Sequence, residues 1–292
     1  MKLEAFLERV YENNYKKLIL VSLGLLVISL IILGINYFST GAVIERDISL
    51  KGGISVTIEK EGLNEQEISS YLAQKFGNVN VRTLTELSTR KDMGLIIEAS
   101  NVGEDELKAA LKEKINFDES QYSSESYSSS FSESFYKQLV MVLLFAFILM
   151  AIVVAVTFRT FIPSLAVILA ALIDILATLA IISLLHIQIS AGGITAFLLV
   201  IGYSIDTDVL LTTKLIKRKI GTMYERFAQS VKTGLTMTIT SIAAVFVGYL
   251  FSAASILKEI FLIIFIALII DIITTYIGNG SILIWYIKNK KI

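Results

Sequence analysis

Four aspartates stand inside long apolar runs of this sequence. Asp174 lies in LIDILATLA, Asp206 and Asp208 lie in IGYSIDTDVLL, and Asp271 lies in ALIIDIITT. A carboxylate at the centre of a membrane helix costs about 2.5–3.5 kcal/mol, so such groups need a protein interior or a water path around them. Two kinds of chemistry fit these residues. The carboxylates could accept hydrogen bonds that fix how helices pack, or they could relay protons or ions.

The spacing of Asp206 and Asp208 restricts what the pair can do. Residues two positions apart point about 200° apart around a helix, so these two cannot face the same site. We predict that Asp206 faces a polar seam shared with the fifth and sixth apolar runs, and that Asp208 faces the cytoplasmic exit. The candidate site, as a relay or as a polar helix interface, comprises Asp174, Asp206, Asp208, Asp271, Thr236 and Thr240.

Six apolar runs must position these residues. Hydrophobic residues make up 54% of the chain and charged residues 18%, and the mean hydropathy is +0.71. Each run is long enough to cross a bilayer as a helix, which takes about 20 residues. The runs are Leu18–Phe38, Gln138–Phe158, Phe161–Leu185, Ile189–Thr213, Val231–Phe251 and Glu259–Trp285. The sequence therefore predicts an α-helical membrane protein with six transmembrane helices.

Between the first two runs, the segment Ser39–Tyr136 is polar and is patterned like a folded α+β domain. Its β-rich segments and amphipathic helices alternate in the order Ile54–Ile58, Asn64–Phe76, Val79–Leu87, Gly94–Ala99, Glu104–Ile115 and Gln121–Ser129. The order βαββαβ is typical of the ferredoxin-like arrangement. The serine-rich segment Ser123–Ser134 begins within the last strand, and we predict that its second half is a linker.

The lysine and arginine residues predict the topology, because cytoplasmic loops are enriched in them. If the N-terminus is inside, the basic cluster Lys214–Lys219 is also inside, and the short outer loops hold only Lys258. The predicted divisions are a cytoplasmic N-terminus (1–17), the first span (18–38), an extracytoplasmic domain (39–136), spans two to six (137–285) and a cytoplasmic tail (286–292). This describes a multi-pass protein of the cytoplasmic membrane with both termini inside.

Composition also excludes several kinds of site. The chain has no cysteine and a single histidine, His186. Disulfides and thiolate metal sites are therefore excluded, and a histidine-built zinc site is not expected. We expect no cofactor, no metal, no nucleic-acid partner and no enzymatic activity.

Four segments and the overall layout resemble one known family. Ile201–Lys219 combines a polar S-I-D-T-D turn with a basic exit, Asp47–Gly53 reads DISLKGG, Asp174 stands in the third span, and Lys232–Ser241 reads KTGLTMTITS. Together they resemble the SecD/SecF family, membrane proteins that assist the Sec translocon in protein export and belong with the RND-type transporters. The chain length and six spans resemble SecF, and the closing TYIGNGSILIWY resembles its archaeal form.

The resemblance implies an accessory subunit of protein export. Its implied partners are SecD in a heterodimer, the Sec translocon channel, the unfolded exported polypeptide and membrane lipid. This chain differs from bacterial SecF at two positions that matter for ion coupling. Thr207 stands where bacterial SecF has an aspartate, and Met237 stands where it has a fifth-span arginine. A pathway through that Asp–Arg pair is therefore not implied, and proton coupling would run through Asp174, Asp206 or Asp271.

Two other classes of function remain open on residue types. An autonomous proton-coupled RND-type transporter of small solutes would also use membrane carboxylates, although the chain shows no strong internal inverted repeat. An intramembrane aspartyl protease needs two facing aspartates that share a proton. Such enzymes carry a G-x-G-D helix, whereas Gly202–Asp206 reads G-Y-S-I-D.

Overall fold

The computed structural model describes residues 2–77, 79–85, 92–100, 102–218, 220–252 and 254–290. Within these residues, six helices are long and apolar enough to cross a membrane, as predicted. They are TM1 (Lys2–Thr40), TM2 (Ser129–Phe158), TM3 (Phe161–Leu184), TM4 (Ala191–Thr212), TM5 (Met223–Phe251) and TM6, which begins as Ser255–Ile272 and ends as Gly280–Lys290. A wider π-helical turn continues TM4 at Thr213–Lys217 and interrupts TM6 at Ile273–Asn279.

TM2 begins earlier than its apolar run predicts. It already covers the second half of Ser123–Ser134, so the prediction of a linker there is wrong. Phe131 and Phe135 stack with ring centroids 5.7 Å apart, and Glu133 pairs with Lys137 at 3.1 Å. Because both pairs have the i,i+4 spacing, they stabilise a helix where the composition alone favours a linker.

TM3, TM4 and TM6 form the interior of the helix bundle. In the most apolar part of each helix, 61%, 50% and 50% of the residues are buried, against 17%, 11% and 17% in TM1, TM2 and TM5. TM4 packs on TM6, and TM3 packs on both of them. The helices that carry the four aspartates are therefore the innermost helices of the bundle.

A four-stranded antiparallel sheet connects TM1 to TM2. Its strands are β1 (Gly53–Ile58), β2 (Val79–Thr85), β3 (Asp92–Ala99) and β4 (Tyr122–Tyr127), and their spatial order is β2-β3-β1-β4. The helices are α1 (Ile48–Lys51), α2 (Glu65–Phe76) and α3 (Glu104–Lys114). The predicted ferredoxin-like α+β fold is confirmed. Of the predicted second strand, Glu86 and Leu87 lie outside the described residues.

The sheet and its helices have an apolar core of their own. Alternation along β1 buries Ile54, Val56 and Ile58 on one face of the sheet. Leu72 of α2 and Leu107 of α3 are fully buried in the same cluster. One apolar face of the sheet is thus covered by helices, as expected for an α+β domain.

The base of this domain rests on the helix bundle. Asp47 N donates to Ile189 O at 3.0 Å, and Ile189 N donates to Glu45 O at 2.8 Å. Gly52 follows α1 with a φ of 83°, and a Cβ atom there would lie 2.4 Å from Ser129 Cα. Because only glycine fits so close an approach, Gly52 lets α1 lie directly against the start of TM2.

Candidate functional site

Asp174 on TM3 connects three helices through its carboxylate. Ser204 Oγ on TM4 donates to one carboxylate oxygen, and Thr274 Oγ1 on TM6 donates to the other. Asp174 is fully buried. Its two hydrogen bonds therefore fix TM3 against both neighbouring inner helices.

Asp271 on TM6 accepts hydrogen bonds from two threonine hydroxyls. Thr275 Oγ1 donates to it at 3.1 Å. Thr207 Oγ1 on TM4 lies 3.2 and 3.1 Å from its two carboxylate oxygens and 2.9 Å from the carbonyl oxygen of Ser204. Since a hydroxyl has one proton to donate, Thr207 can alternate between the carboxylate and its own helix backbone.

Asp208 on TM4 is the third buried carboxylate. Asn279 Nδ2 on TM6 donates to Asp208 Oδ1 at 2.8 Å. Both residues are almost completely shielded from solvent. Asp208 Oδ2 and Asn279 Oδ1 have no hydrogen-bond partner among the described residues. The pair is therefore held by one bond and keeps two buried acceptor oxygens unused.

These three carboxylates have neutral partners. Among the residues that the structure describes, no ion pair involves Asp174, Asp208 or Asp271, and no group of three His, Asp or Glu side chains could hold a metal ion. Carboxyl groups linked by hydroxyls and an amide can hold helices together, and they can also exchange protons.

The π-helical turn of TM6 positions much of this network. Thr274, Thr275 and Asn279 all lie within Ile273–Asn279. Gly278 in the same turn leaves room for TM1, because a Cβ atom there would lie 2.5 Å from Ser22 Oγ. Such wide turns inside α-helices occur frequently at functional sites.

Asp206, Thr236 and Thr240 lie outside the network. All three are exposed on the surface of the bundle. Thr236 Oγ1 donates to Lys232 O at 2.8 Å, and Thr240 Oγ1 donates to Thr236 O at 2.7 Å. The prediction that Asp206 faces a polar seam with Thr236, Thr240 and Asp271 is therefore wrong. Asp208, predicted at the cytoplasmic exit, instead faces TM6, because TM6 packs against that side of TM4.

Residue spacing does contain a signal for the buried face of TM4. Ser204, Asp208 and Thr212 recur every four residues, so they form one stripe along a helix, and all three are buried. Asp206 is out of register with that stripe. Sequence reasoning also missed Asn279, a single amide between two glycines in an otherwise apolar run.

Three cavities among the described residues lie away from the buried carboxylates. The cleft that contacts Asp271, lined also by Tyr203 and Ser204, is too narrow for a water molecule. Cavities of about 710 and 530 Å³ lie where the outer domain meets the bundle, and one of about 410 Å³ lies at the basic end of TM4.

Comparison with known proteins identifies the kind of membrane protein that carries this site. Residues 106–289 match the family model of the protein export membrane protein SecD/SecF, C-terminal region. The protein-export membrane protein SecF of Methanocaldococcus jannaschii is 34% identical over 96% of this chain and 98% of its own length. The chain belongs to the SecF family. SecF of Pyrococcus furiosus is 32% identical to it over 98% of this chain and 95% of the relative.

Solved structures resemble this SecF-family chain in fold. The crystal structure of SecDF from Thermus thermophilus, a translocon-associated membrane protein, matches with a TM-score of 0.71 at 19% identity. A second SecDF structure, in a super-membrane-facing form, matches with a TM-score of 0.56 at 17% identity. The match to the first covers 95% of this chain but only 38% of the SecDF chain. The predicted resemblance to archaeal SecF is confirmed, and so is a membrane fold of the SecDF kind with six transmembrane helices.

Proposed function

We propose that this SecF-family chain is an accessory subunit of Sec protein translocation and works as a heterodimer with SecD. It acts with the Sec translocon channel on unfolded exported polypeptides. The names of its relatives, protein-export membrane protein SecF, support this role. The fold of translocon-associated SecDF supports the pairing with SecD.

The exposed polar positions on TM4 and TM5 are the observation that carries the proposal. Asp206, Thr236 and Thr240 lie on the outside of the bundle, within helices that cross the membrane. A carboxylate that faces lipid costs about 2.5–3.5 kcal/mol, and intramembrane carboxylates accordingly face other helices or water. A second helix bundle placed over TM4 and TM5 would remove this cost. SecD fits this requirement, since SecDF chains of the same fold are more than twice as long as this chain.

The topology of this proposal follows from the basic residues. Both termini and the Lys214–Lys219 cluster lie in the cytoplasm, and the ferredoxin-like domain lies outside. The domain is thereby on the side where an exported polypeptide emerges. Its contact with Ile189, two residues before TM4, connects it to a helix that carries two of the aspartates, and its contact with Ser129 connects it to the start of TM2.

Ion coupling, if this chain supplies part of it, runs through the buried network. Asp174, Asp208 and Asp271 are shielded from lipid and have neutral hydrogen-bond partners. Thr207 can change acceptors, which gives the network two arrangements of the same hydroxyl proton. Each carboxyl group can therefore gain or lose a proton with hydrogen-bond donors already in place.

Affinity purification from native membranes tests the pairing. Tagged wild-type chain should recover SecD, quantified by mass spectrometry. Thr240→Trp places a bulky ring on the proposed SecD-facing side of TM5. It should reduce the recovered SecD about tenfold, which corresponds to a loss of about 1.4 kcal/mol in the free energy of binding. Val153→Trp makes a comparably large ring on TM2, where Val153 is 60% exposed, and should leave recovery unchanged.

Two outcomes would contradict the proposal. Wild-type chain that recovers no SecD would remove the heterodimer. If Thr240→Trp and the wild type are inserted at equal levels and recover equal amounts of SecD, the interface with SecD does not include this side of TM5.

A further inference from the structure

A cavity of about 410 Å³ lies where TM4 leaves the apolar part of the bundle. It is lined by Lys214, Lys217, Arg218, Ile220, Arg226 and Gln229. Four of these six side chains are cationic, and none is acidic. The volume is within the range of small-ligand sites, about 300–1,000 Å³.

The two lysines of this cavity, which we name the basic pocket, are held by neutral acceptors. Lys214 Nζ donates to Gln229 O at 3.0 Å and to Thr233 Oγ1 at 2.9 Å. Lys217 Nζ donates to Thr157 O at 3.0 Å. These bonds fix the ammonium groups between TM2, TM4 and TM5 without neutralising their charge.

The two arginines add unused donors. Arg226 Nη1 donates to Leu215 O at 3.0 Å and to Arg218 O, while its buried Nε has no partner among the described residues. The Arg218 side chain is exposed. It forms no hydrogen bond or ion pair with any residue that the structure describes. Within the described residues, none of the four cations has a carboxylate within 4.0 Å.

We propose that the basic pocket binds one phosphate group, supplied by the headgroup of an anionic lipid or by a soluble phosphate compound. A phosphate offers several acceptor oxygens and the negative charge that the pocket lacks, and arginine binds it through paired N–H groups. Lys214 and Lys217 both lie in the π-helical turn Thr213–Lys217, and both line the cavity. This inference does not rest on the proposed role in export.

A discrete site differs from a general orientation anchor in what it requires. An anchor needs basic residues at the membrane surface, so any of them could be exchanged with the same effect. A site needs the particular cations that line the cavity. A basic residue near an anionic membrane surface changes the affinity of the protein for that surface about fivefold. Loss of a residue that lines the basic pocket should weaken phosphate binding by more than this factor.

Native mass spectrometry of the purified full chain in detergent tests the site. The probes are phosphatidylglycerol, phosphatidylcholine and inorganic phosphate, each titrated separately. Arg218→Gln removes one pocket charge without removing a hydrogen bond that the structure shows, and it should weaken phosphatidylglycerol binding at least tenfold. Arg9→Gln makes the same change on exposed Arg9 of TM1, outside the pocket, and should leave binding as in wild type.

A second variant separates binding geometry from charge. Arg226→Lys keeps the charge but loses the planar fork, so it should also weaken binding while the melting temperature of the chain reports any loss of folding. One tightly retained phosphatidylglycerol, with no retained phosphatidylcholine, identifies the lipid as the source. Saturable binding of inorganic phosphate that Arg218→Gln abolishes identifies a soluble source. Equal binding by Arg218→Gln and Arg9→Gln would overturn the proposal.

Discussion

Asn279 donates a hydrogen bond from Nδ2 to Oδ1 of Asp208, with the two atoms 2.8 Å apart. The bond joins TM4 to the π-helical turn of TM6 in the interior of the bundle. Neither side chain has a second partner for its remaining oxygen among the described residues. Each residue therefore depends on the other, and loss of one strands a buried polar group on its neighbour.

Asp208→Leu should destabilise the chain by about 1–3 kcal/mol, because it leaves the Asn279 amide buried and unpaired. Asp206→Leu is the matched control, since Asp206 is two residues away and exposed. It removes no hydrogen bond that the described residues show, so it should not lower the free energy of unfolding. Thermal unfolding of both purified variants in one detergent measures the difference. Equal melting temperatures would mean that the Asp208–Asn279 bond contributes nothing measurable to stability.

The two aspartates also show what the sequence can and cannot predict. That Asp206 and Asp208 face opposite sides follows from helix geometry alone. Which of them faces inward depends on where TM6 packs, and that is a long-range contact between positions far apart in the chain. The six spans and the βαββαβ order were predictable because apolar run length and strand alternation are local properties.

The π-helical turn of TM6 lies beyond local reasoning for the same reason. Thr274, Thr275 and Asn279 look like scattered polar residues in an apolar run. Their convergence depends on the wide turn, which in turn accompanies the close approach of Gly278 to Ser22 of TM1. A prediction made from one helix at a time cannot contain that contact.

Stability should depend on pH through Asp47 at the base of the outer domain. Ser49 N and Ser49 Oγ donate to its carboxylate at 3.0 and 2.6 Å, yet burial raises the pKa of Asp47 above its ordinary value. The Asp47 carboxyl group therefore binds its proton more tightly in the folded state than in the unfolded state. The resulting stabilisation is complete below about pH 4 and is lost as the pH rises through the raised pKa.

Asp47→Asn should remove the loss of stability that occurs as the pH rises above about 4 and through the raised pKa of Asp47. Asparagine can still accept the capping hydrogen bond, so α1 should keep its N-cap while the titration disappears. Melting temperatures of the full chain from pH 4 to pH 8 provide the measurement. Asp118→Asn, at another capping aspartate that is exposed, serves as the control and should leave the profile unchanged. An unchanged profile in Asp47→Asn would assign the pH dependence to other groups.

Single cysteines can test the topology, because the natural chain has none. Ser128→Cys, at the start of TM2, should react in intact cells with a maleimide that cannot cross membranes. Ile220→Cys, at a position 91% exposed beside the basic pocket, should react only after the membrane is permeabilised. The asymmetry of basic residues is the physical reason. Labelling in the reverse order would invert the proposed orientation of all six spans.

Asp271→Asn tests whether the buried network carries protons. Asparagine keeps the shape of the side chain and still accepts a hydrogen bond from Thr207, but it cannot bind and release a proton at physiological pH. We therefore expect the variant to insert, to bind SecD and to melt near the wild-type temperature. Its export activity should fall to the level that wild type shows without a proton gradient. Translocation of an exported precursor into inverted membrane vesicles, with and without the gradient, measures this.

Thr207→Ser is the companion variant for that experiment. Serine retains the hydroxyl that lies between Asp271 and the Ser204 carbonyl, so gradient-stimulated export should persist. Thr207→Val removes the hydroxyl and should reduce both stability and stimulation, since the Asp271 carboxylate loses one of its two donors. If Asp271→Asn exports at the full wild-type rate with the gradient present, Asp271 has no relay function. Its hydrogen bonds to TM4 would then serve only to hold TM4 against TM6.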